Sequence, residues 1–317
     1  MKPKPTAILV VPLAVAVVLA LFAWPSARLE PRDLPVGVVG PAPAGLADRG
    51  FEIHRYATEA DAREAIDDRE VYGALVPARR RVLTASAASP AVAQLLGHAA
   101  ERSGARTVDV VPAGTAGSAL PSSVLPLLLA GILTGALAAL SATSALGRAA
   151  LVAGGSLLGG LVATGIVQGW LGVVDGHAAA NCTALTLTIL AIAAFLAGLY
   201  ALFGRHGIVP GALALVLIGN PFSAVGSAPE LLPQPVGAIG QLMPPGAGAN
   251  MLRSTGFFDN AAAGGHAAVL LAWAAVGFVL LAAAHMLRRS TATAGQHSTA
   301  TGRSSTGTRA SAPSSSA

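Results

Sequence analysis

The residue types that carry out catalysis show no recognisable catalytic spacing in this sequence. Lysine occurs only at Lys2 and Lys4, so no glycine-rich loop is followed by the lysine that a P-loop uses to reach the nucleotide phosphates. The patterns Gly-x-Ser-x-Gly and His-Glu-x-x-His are also absent. Cys182 is the single cysteine, and no Cys/His cluster has the spacing of metal ligands. We therefore predict a protein that is not an enzyme, with no catalytic residue, no cofactor and no metal site.

A second group of polar residues stands out because the segment around it is apolar and broken by Pro and Gly. This Pro/Gly segment covers residues 220–265, and its polar residues include Asn220, Glu230, Gln241 and Arg253. Since a regular spanning helix does not tolerate this pattern, we predict short or re-entrant helices at the outer face of a membrane. Polar groups at that depth are costly and are usually retained for a function. The four residues are therefore candidates for a transport path, and the alternative is that Glu230 and Arg253 pair or cap helix ends.

The elements that would position these residues are membrane helices. The chain is 53% hydrophobic and only 11% charged, with a mean hydropathy of +0.64. An ordinary soluble domain has about 25% charged residues. A lipid environment removes the need for a charged surface. The sequence predicts about six spans of roughly 20 apolar residues, which are Thr6–Trp24, Val124–Thr143, Leu151–Val174, Thr183–Phe203, Ile208–Ile218 and Ala267–Leu287.

The first and fifth of these spans are less regular than the others. The first resembles a signal peptide, but its apolar run is longer than the roughly 7–15 residues of a signal core, so we favour an uncleaved anchor. The fifth is short and contains Pro210 and Gly211. It is either tilted or continues through Asn220.

The distribution of basic residues predicts the orientation. Arg148, Arg205 and the pair Arg288 and Arg289 fall in short loops or ends that share one side if the N-terminus is cytoplasmic. Both termini are therefore predicted to be cytoplasmic, in a multi-pass protein of the plasma membrane. The net charge of +5 is explained by these membrane-flanking positions. No basic stripe is interleaved with aromatic residues, so we expect no nucleic-acid partner.

Residues 28–120 have a different composition, because they hold most of the charged residues of the chain, nearly balanced in sign. Short apolar runs alternate with helical segments there, which predicts a small extracytoplasmic α/β domain. The expected strands begin at Val36, Phe51, Val71, Arg81 and Thr107. The expected helices cover Thr58–Asp68, with Thr58 as N-cap and Asp61 completing a capping box, and Pro90 to about Ser103.

An acidic run lies on and just after the first of these helices. Asp61, Glu64, Asp67, Asp68 and Glu70 could form a cation or partner site. The oxygen spacing of an ion-binding loop is absent. We therefore favour a solvated helix face whose charge is offset by Arg63 and Arg69.

Four stretches of the sequence carry a family resemblance: Asp68-Arg-Glu-Val-Tyr-Gly-Ala-Leu-Val76, Ala85-Ser-Ala-Ala-Ser-Pro-Ala-Val92, Asn220-Pro-Phe-Ser-Ala-Val225 and Leu242-Met-Pro-Pro-Gly-Ala247. Through them the chain resembles the type 2 ABC exporter permeases, and most of all their phage-infection-protein-like branch. The resemblance covers most of the chain apart from its tail. It implies a dimeric transmembrane unit, homo- or heterodimeric, that works with a separate cytoplasmic ATPase subunit. It also implies a re-entrant hairpin before the last helix and export of lipidic, drug-like or polymeric substrates.

Taken together, the sequence predicts a polytopic α-helical membrane protein with its spans arranged one plus five around an α/β domain. The predicted function is the permease subunit of an exporter, surrounded by the lipid bilayer. The alternative is a membrane-anchored scaffold or surface receptor whose outer domain binds a partner. The predicted divisions are 1–27 (N-terminus and span one), 28–120 (α/β domain), 121–219 (spans two to five), 220–265 (Pro/Gly segment), 266–288 (span six) and 289–317 (disordered cytoplasmic tail).

Overall fold

The computed structural model describes residues 5–304, and within them one end of a helix bundle carries a small α/β domain. The chain enters through helix α1 (Pro5–Ser26) and then forms the α/β domain. In chain order the domain contains β1 (Leu34–Val39), β2 (Phe51–Tyr56), α2 (Glu59–Asp67), β3 (Gly73–Val76), β4 (Arg81–Thr84), α3 (Pro90–Ser103) and β5 (Arg106–Asp109). The predicted strands and helices of this domain are thereby confirmed, with ends that differ by a few residues.

The five strands of the described chain form one sheet in the order β2-β1-β3-β4-β5. Only β3 and β4 pair in antiparallel fashion, through the turn Pro77–Arg79, which confirms the expected hairpin. The other pairs are parallel. A parallel pair requires a crossover, and α3 supplies the one between β4 and β5.

Local sequence explains where the two domain helices begin. The Thr58 hydroxyl accepts from the Asp61 backbone N–H at 3.2 Å, and the Asp61 carboxylate accepts from the Thr58 N–H at 3.0 Å, which is the predicted capping box. The Ser89 hydroxyl accepts from the Val92 N–H at 3.2 Å, and Pro90 occupies the first helical position.

Each face of the sheet is covered by one helix and by part of the Pro/Gly segment. On the α2 face, Ile66 and Leu83 are buried in a cluster that also contains Phe258. On the α3 face, Val36 and Leu96 are buried together with Leu231. The Pro/Gly segment therefore contributes to both cores of the α/β domain.

The rest of the chain is helical. After one turn, α4 (Gly114–Gly117), come α5 (Leu120–Ser141), α6 (Ala145–Thr164, continued by the π-helical turn Gly165–Trp170), α7 (Ala178–Phe203), α8 (Arg205–Ala214, continued by the π-helical turn Leu215–Gly219), α9 (Val236–Gln241), α10 (Pro244–Phe257) and α11 (Ala263–Ser304). Within the described chain, five helices are long and apolar enough to cross a membrane: α1, α5, α6 with its extension, α7 and α11 as far as Ser290. The predicted fifth span corresponds to the shorter apolar helix Arg205–Gly219. The six predicted spans are therefore observed as five full-length helices and one short helix.

Small residues allow the helices to pack closely around α7. A Cβ added at Gly131 of α5 would lie 2.7 Å from Cβ of Ile192, and one added at Gly198 would lie 2.6 Å from the carbonyl oxygen of Gly277 in α11. By contrast, a Cβ at Gly165 or Gly169 would meet no atom within 4 Å. Gly131 and Gly135 form a Gly-x-x-x-Gly pair, as do Gly165 and Gly169. Only the first of these two pairs therefore serves packing within the bundle.

The end of the bundle opposite the α/β domain carries basic residues. Arg148 lies in the first turn of α6 rather than in a loop, and its guanidinium carbon is 5.6 Å from the centre of the Tyr200 ring. Arg205 begins α8, and Arg288 donates to the carbonyl of Ala201 at 3.1 Å. Lys2 and Lys4 lie outside the described residues.

The predicted disordered tail, residues 289–317, is only partly described. The backbone of residues 289–304 continues α11 as helix. The disorder expected from the composition of the tail stays a prediction. Residues 305–317 lie outside the described chain.

Candidate functional site

The Pro/Gly segment folds as two short helices, α9 and α10, between the α/β domain and the bundle. Helix α10 is buried at every position from Pro244 to Gly256 and contacts both α7 and α11. Pro244 and Pro245 fit its first turn, where the missing N–H groups cost nothing. Small residues then allow the close approach, since a Cβ at Gly248 would overlap the side chain of Thr188. The prediction of short helices here is confirmed.

Two guanidinium groups meet at one side chain of α10. Asn250 Oδ1 accepts from Arg253 Nη1 at 3.0 Å and from Arg69 Nη2 at 3.1 Å. Arg253 is 3% exposed, and its Nη2 donates to the Val225 carbonyl at 2.7 Å. Its Nε is buried and has no partner among the described residues. A buried polar side chain of α10 therefore holds two positive charges together.

Arg69 joins the α/β domain to this helix. It follows α2, has a left-handed backbone (φ +62°), and its Nη1 donates to the Asn250 carbonyl at 3.1 Å and to the Ser254 hydroxyl. The Arg69 guanidinium also lies 5.3 Å from the centre of the Phe258 ring. The prediction that Arg69 offsets the acidic run is wrong, because its side chain points into the junction with α10. Arg63 does offset the run: burial raises the pKa of Asp67, and the charge of Arg63 opposes that rise. Arg63 also pairs at 3.0 Å with Glu59, which lies outside the run.

The negative charge that acts on Arg69 is that of Glu230. Its carboxylate accepts from the Tyr72 hydroxyl at 2.9 Å. Burial first, and then the charge of Glu230, raise the pKa of Tyr72, so the phenol stays protonated and remains a donor. Burial lowers the pKa of Arg69, and the charge of Glu230 opposes that effect. The direct Glu230–Arg253 ion pair considered from the sequence does not occur, because each residue has other partners.

Gln241 completes the group at the end of α9. It accepts from Asn250 Nδ2, and its own Nε2 donates to the Ser223 carbonyl at 3.0 Å. We call the six residues the junction cluster: Arg69, Tyr72, Glu230, Gln241, Asn250 and Arg253. Its formal charge is one positive unit, from two guanidiniums and one carboxylate.

Asn220, the fourth predicted transport-path residue, lies apart from the junction cluster. Its carbonyl accepts from the Ser223 hydroxyl at 2.6 Å. Asn220 lines a cavity of about 270 Å³ between the end of α1 and the Pro/Gly segment, together with Ser26 and Ser227. Three of the four predicted residues are therefore brought together, and the fourth faces the first helix.

A second polar network holds the far end of α10. The Thr255 hydroxyl donates to Asn181 Oδ1 at 2.6 Å, and Asn181 Nδ2 donates to Gln168 Oε1 at 3.1 Å. Gln168 in turn donates to the Gly176 carbonyl at 3.0 Å. Asn181 is fully buried at the start of α7, so this network ties α10 to both α6 and α7.

Sequence reasoning missed Arg69, Tyr72 and Asn250 as members of the site. Asn250 and Arg253 are three residues apart, which places them on one face of a helix, and that spacing was a usable signal. Arg69 and Tyr72 belong to a different domain, so their contacts with α10 depend on tertiary packing alone. Within the described residues, no group of three or more His, Cys, Asp or Glu side chains could hold a metal ion.

Comparison of the chain with protein-family models, with curated proteins and with solved structures finds no match.

Proposed function

We propose that this protein is the membrane-spanning permease subunit of an ABC-type exporter. The observation that carries the proposal is the junction cluster, because it fastens the α/β domain to a helix buried inside one end of the bundle. Movement of the domain would therefore be transmitted to α10, and from α10 to α7 and α11. A transporter needs this mechanical coupling between its outer domain and its helices, whereas a domain that is only anchored to the membrane does not need it.

The energy source would be a separate subunit. The chain has no P-loop lysine, so ATP-driven work requires an ATPase partner. The partner would dock at the basic end of the bundle, beside the turn between α5 and α6 and the extension of α11 past Ser290. We propose a homo- or heterodimer in the bilayer, with no enzymatic activity of its own and no nucleic-acid partner.

The proposed orientation places the α/β domain outside the cell and the basic end in the cytoplasm. Arg148, Arg205 and Arg288 lie at the same end of the bundle. Basic residues next to spanning helices favour the cytoplasmic side. Both termini would then be cytoplasmic, in the plasma membrane.

Cysteine labelling tests this orientation in a Cys182→Ala background. Ala78→Cys lies at the exposed hairpin tip of the α/β domain, and Thr143→Cys lies in the exposed turn at the opposite end. We expect a membrane-impermeant maleimide to label position 78 in intact cells and position 143 only after permeabilisation. The reverse pattern would contradict the orientation.

The function itself is tested by co-purification and efflux. We expect a P-loop ATPase to co-purify with the tagged protein, and deletion of the gene to raise the cellular retention of amphiphilic dyes. The matched control is a strain complemented with the wild-type gene. If no ATPase co-purifies and efflux is unchanged by the deletion, the exporter proposal fails and the scaffold or receptor function takes its place.

A further inference from the structure

The end of the α/β domain farthest from the helix bundle is rich in arginine. The chain enters β1 from α1 and leaves β5 toward α5, so the far end of the sheet is where β3 ends and where β4 and β5 begin. Arg81 and Arg106 are paired positions of β4 and β5 at that end. We call this surface the distal basic end, and its residues are Arg79, Arg80, Arg81, Arg102 and Arg106.

Few carboxylates balance these charges. Glu59 accepts from Arg79 at 2.8 Å and lies 3.5 Å from Arg81, while Arg63 also binds it at 3.0 Å. Hydrogen bonding from Arg63, supported by Arg79, lowers the pKa of Glu59. One ionised carboxylate, that of Glu59, thus forms ion pairs with three guanidinium groups.

The remaining arginines of this end lack even a shared carboxylate. In the part of the chain that the structure describes, Arg80, Arg102 and Arg106 form no ion pair. The carbonyl groups that end α3 stabilise nearby cations, but a helix C-terminus carries only about half a negative charge. A positive excess therefore remains.

The distal basic end also contains a cavity. It measures about 220 Å³ and is lined by Arg80, Arg81 and Ser103 beside Pro43 and Pro77. Arg80 has a left-handed backbone (φ +51°), and its carbonyl accepts from the Arg106 N–H at 2.8 Å. A non-glycine residue held in this conformation is costly and is often found at a functional site. The fixed backbone places two neighbouring arginines around a space that admits a phosphate group.

We propose that the distal basic end binds a soluble chain of inorganic polyphosphate. Guanidinium groups bind phosphate oxygens through paired hydrogen bonds. Arg80, which lines the cavity, and Arg102 and Arg106, which lie outside it, form no ion pair within the described chain. Charges spread over this surface fit a chain of phosphates better than a single ion. The surface faces away from the helix bundle and hence from the bilayer around that bundle. A lipid headgroup of this bilayer would therefore not reach it. This inference is independent of whether the protein is an exporter.

The test uses the full chain in nanodiscs of neutral phosphatidylcholine, with long-chain polyphosphate as the probe. We expect binding that weakens as sodium chloride is raised. The double variant Arg80→Gln/Arg106→Gln should weaken it about tenfold or more, because hydrogen bonds to charged groups are lost. The matched control is Arg49→Gln, an exposed arginine at the end of the domain next to α1, which should change the affinity less than about twofold.

Three results would overturn the proposal. The first is no measurable binding of polyphosphate by the wild-type protein. The second is an equal loss in the double variant and in Arg49→Gln, which would show only a general effect of charge. The third is full competition by orthophosphate at the same phosphate concentration, which would indicate a single-ion site instead of a polymer surface. An unchanged melting temperature of the double variant verifies that it is folded.

Discussion

Arg69→Ala is expected to lower the free energy of unfolding by about 3 kcal/mol, since hydrogen bonds to charged groups contribute about 1.5–3 kcal/mol each. The substitution removes the donors to the Asn250 carbonyl, the Asn250 side chain and the Ser254 hydroxyl. Asn250 and Ser254 are buried, so water cannot fully replace the lost donors. The contact between the α/β domain and α10 should loosen as a result.

Arg80→Ala is the matched control, because Arg80 also has a left-handed backbone but its side chain has no hydrogen bond within the described chain. Thermal unfolding in detergent should show a large decrease for Arg69→Ala and little change for Arg80→Ala. Hydrogen exchange should also rise in α10 for the first variant only. Equal effects of the two substitutions would mean that Arg69 contributes through its backbone alone.

A double-mutant cycle with Asn250→Ala separates the direct contact from wider effects. Residues in one hydrogen-bond network show interaction energies of about 0.5–3 kcal/mol. We therefore expect the double variant Arg69→Ala/Asn250→Ala to be more stable than the sum of the single losses predicts. Strict additivity would show that the two residues do not stabilise the junction together.

Gly277→Ala should have the second large effect, through the contact between α7 and α11. A Cβ at Gly277 would overlap the backbone of Ala194, and Gly198 faces the same crossing at 2.6 Å. Backbone atoms cannot turn away as a flexible side chain can, so the helices must separate. Overpacking of this kind costs about 1–3 kcal/mol, and the expected result is a lower melting temperature in detergent.

Gly265→Ala provides the control in the same helix. A Cβ there meets no atom within 4 Å, and alanine favours a helix over glycine by about 1 kcal/mol. This variant should therefore be as stable as the wild type or slightly more stable. If Gly277→Ala behaves in the same way, α7 and α11 are not packed as closely as the structure has them.

Local features of the fold were predictable because short stretches of sequence determine them. Thr58 and Ser89 cap their helices through their own hydroxyls, and Pro77 begins the turn of the hairpin. The spans were predictable for a similar reason, since each depends on a continuous apolar run. The fifth was predicted to be short, and the helix Arg205–Gly219 is indeed shorter than the others, ending just before Pro221.

The candidate site was predictable only in part. Glu230, Gln241 and Arg253 stood out as polar residues in an apolar segment, and the structure brings them into one cluster. Asn220 had the same signal but lies at a cavity apart from the junction cluster. The sequence shows that a polar residue lies in an apolar segment, whereas it does not show which way the side chain of that residue points.

The sequence by itself determined the membrane class of this protein, the division into helices and an α/β domain, and the local ends of many elements. These depend on composition, periodicity and capping, which act over a few residues. Only the tertiary structure decided that Arg69 and Tyr72 meet Asn250 and Glu230, about 160 to 180 residues away in the chain. The physical reason is that such contacts exist only after both cores of the α/β domain have closed over the Pro/Gly segment, through Leu231 on one face and Phe258 on the other.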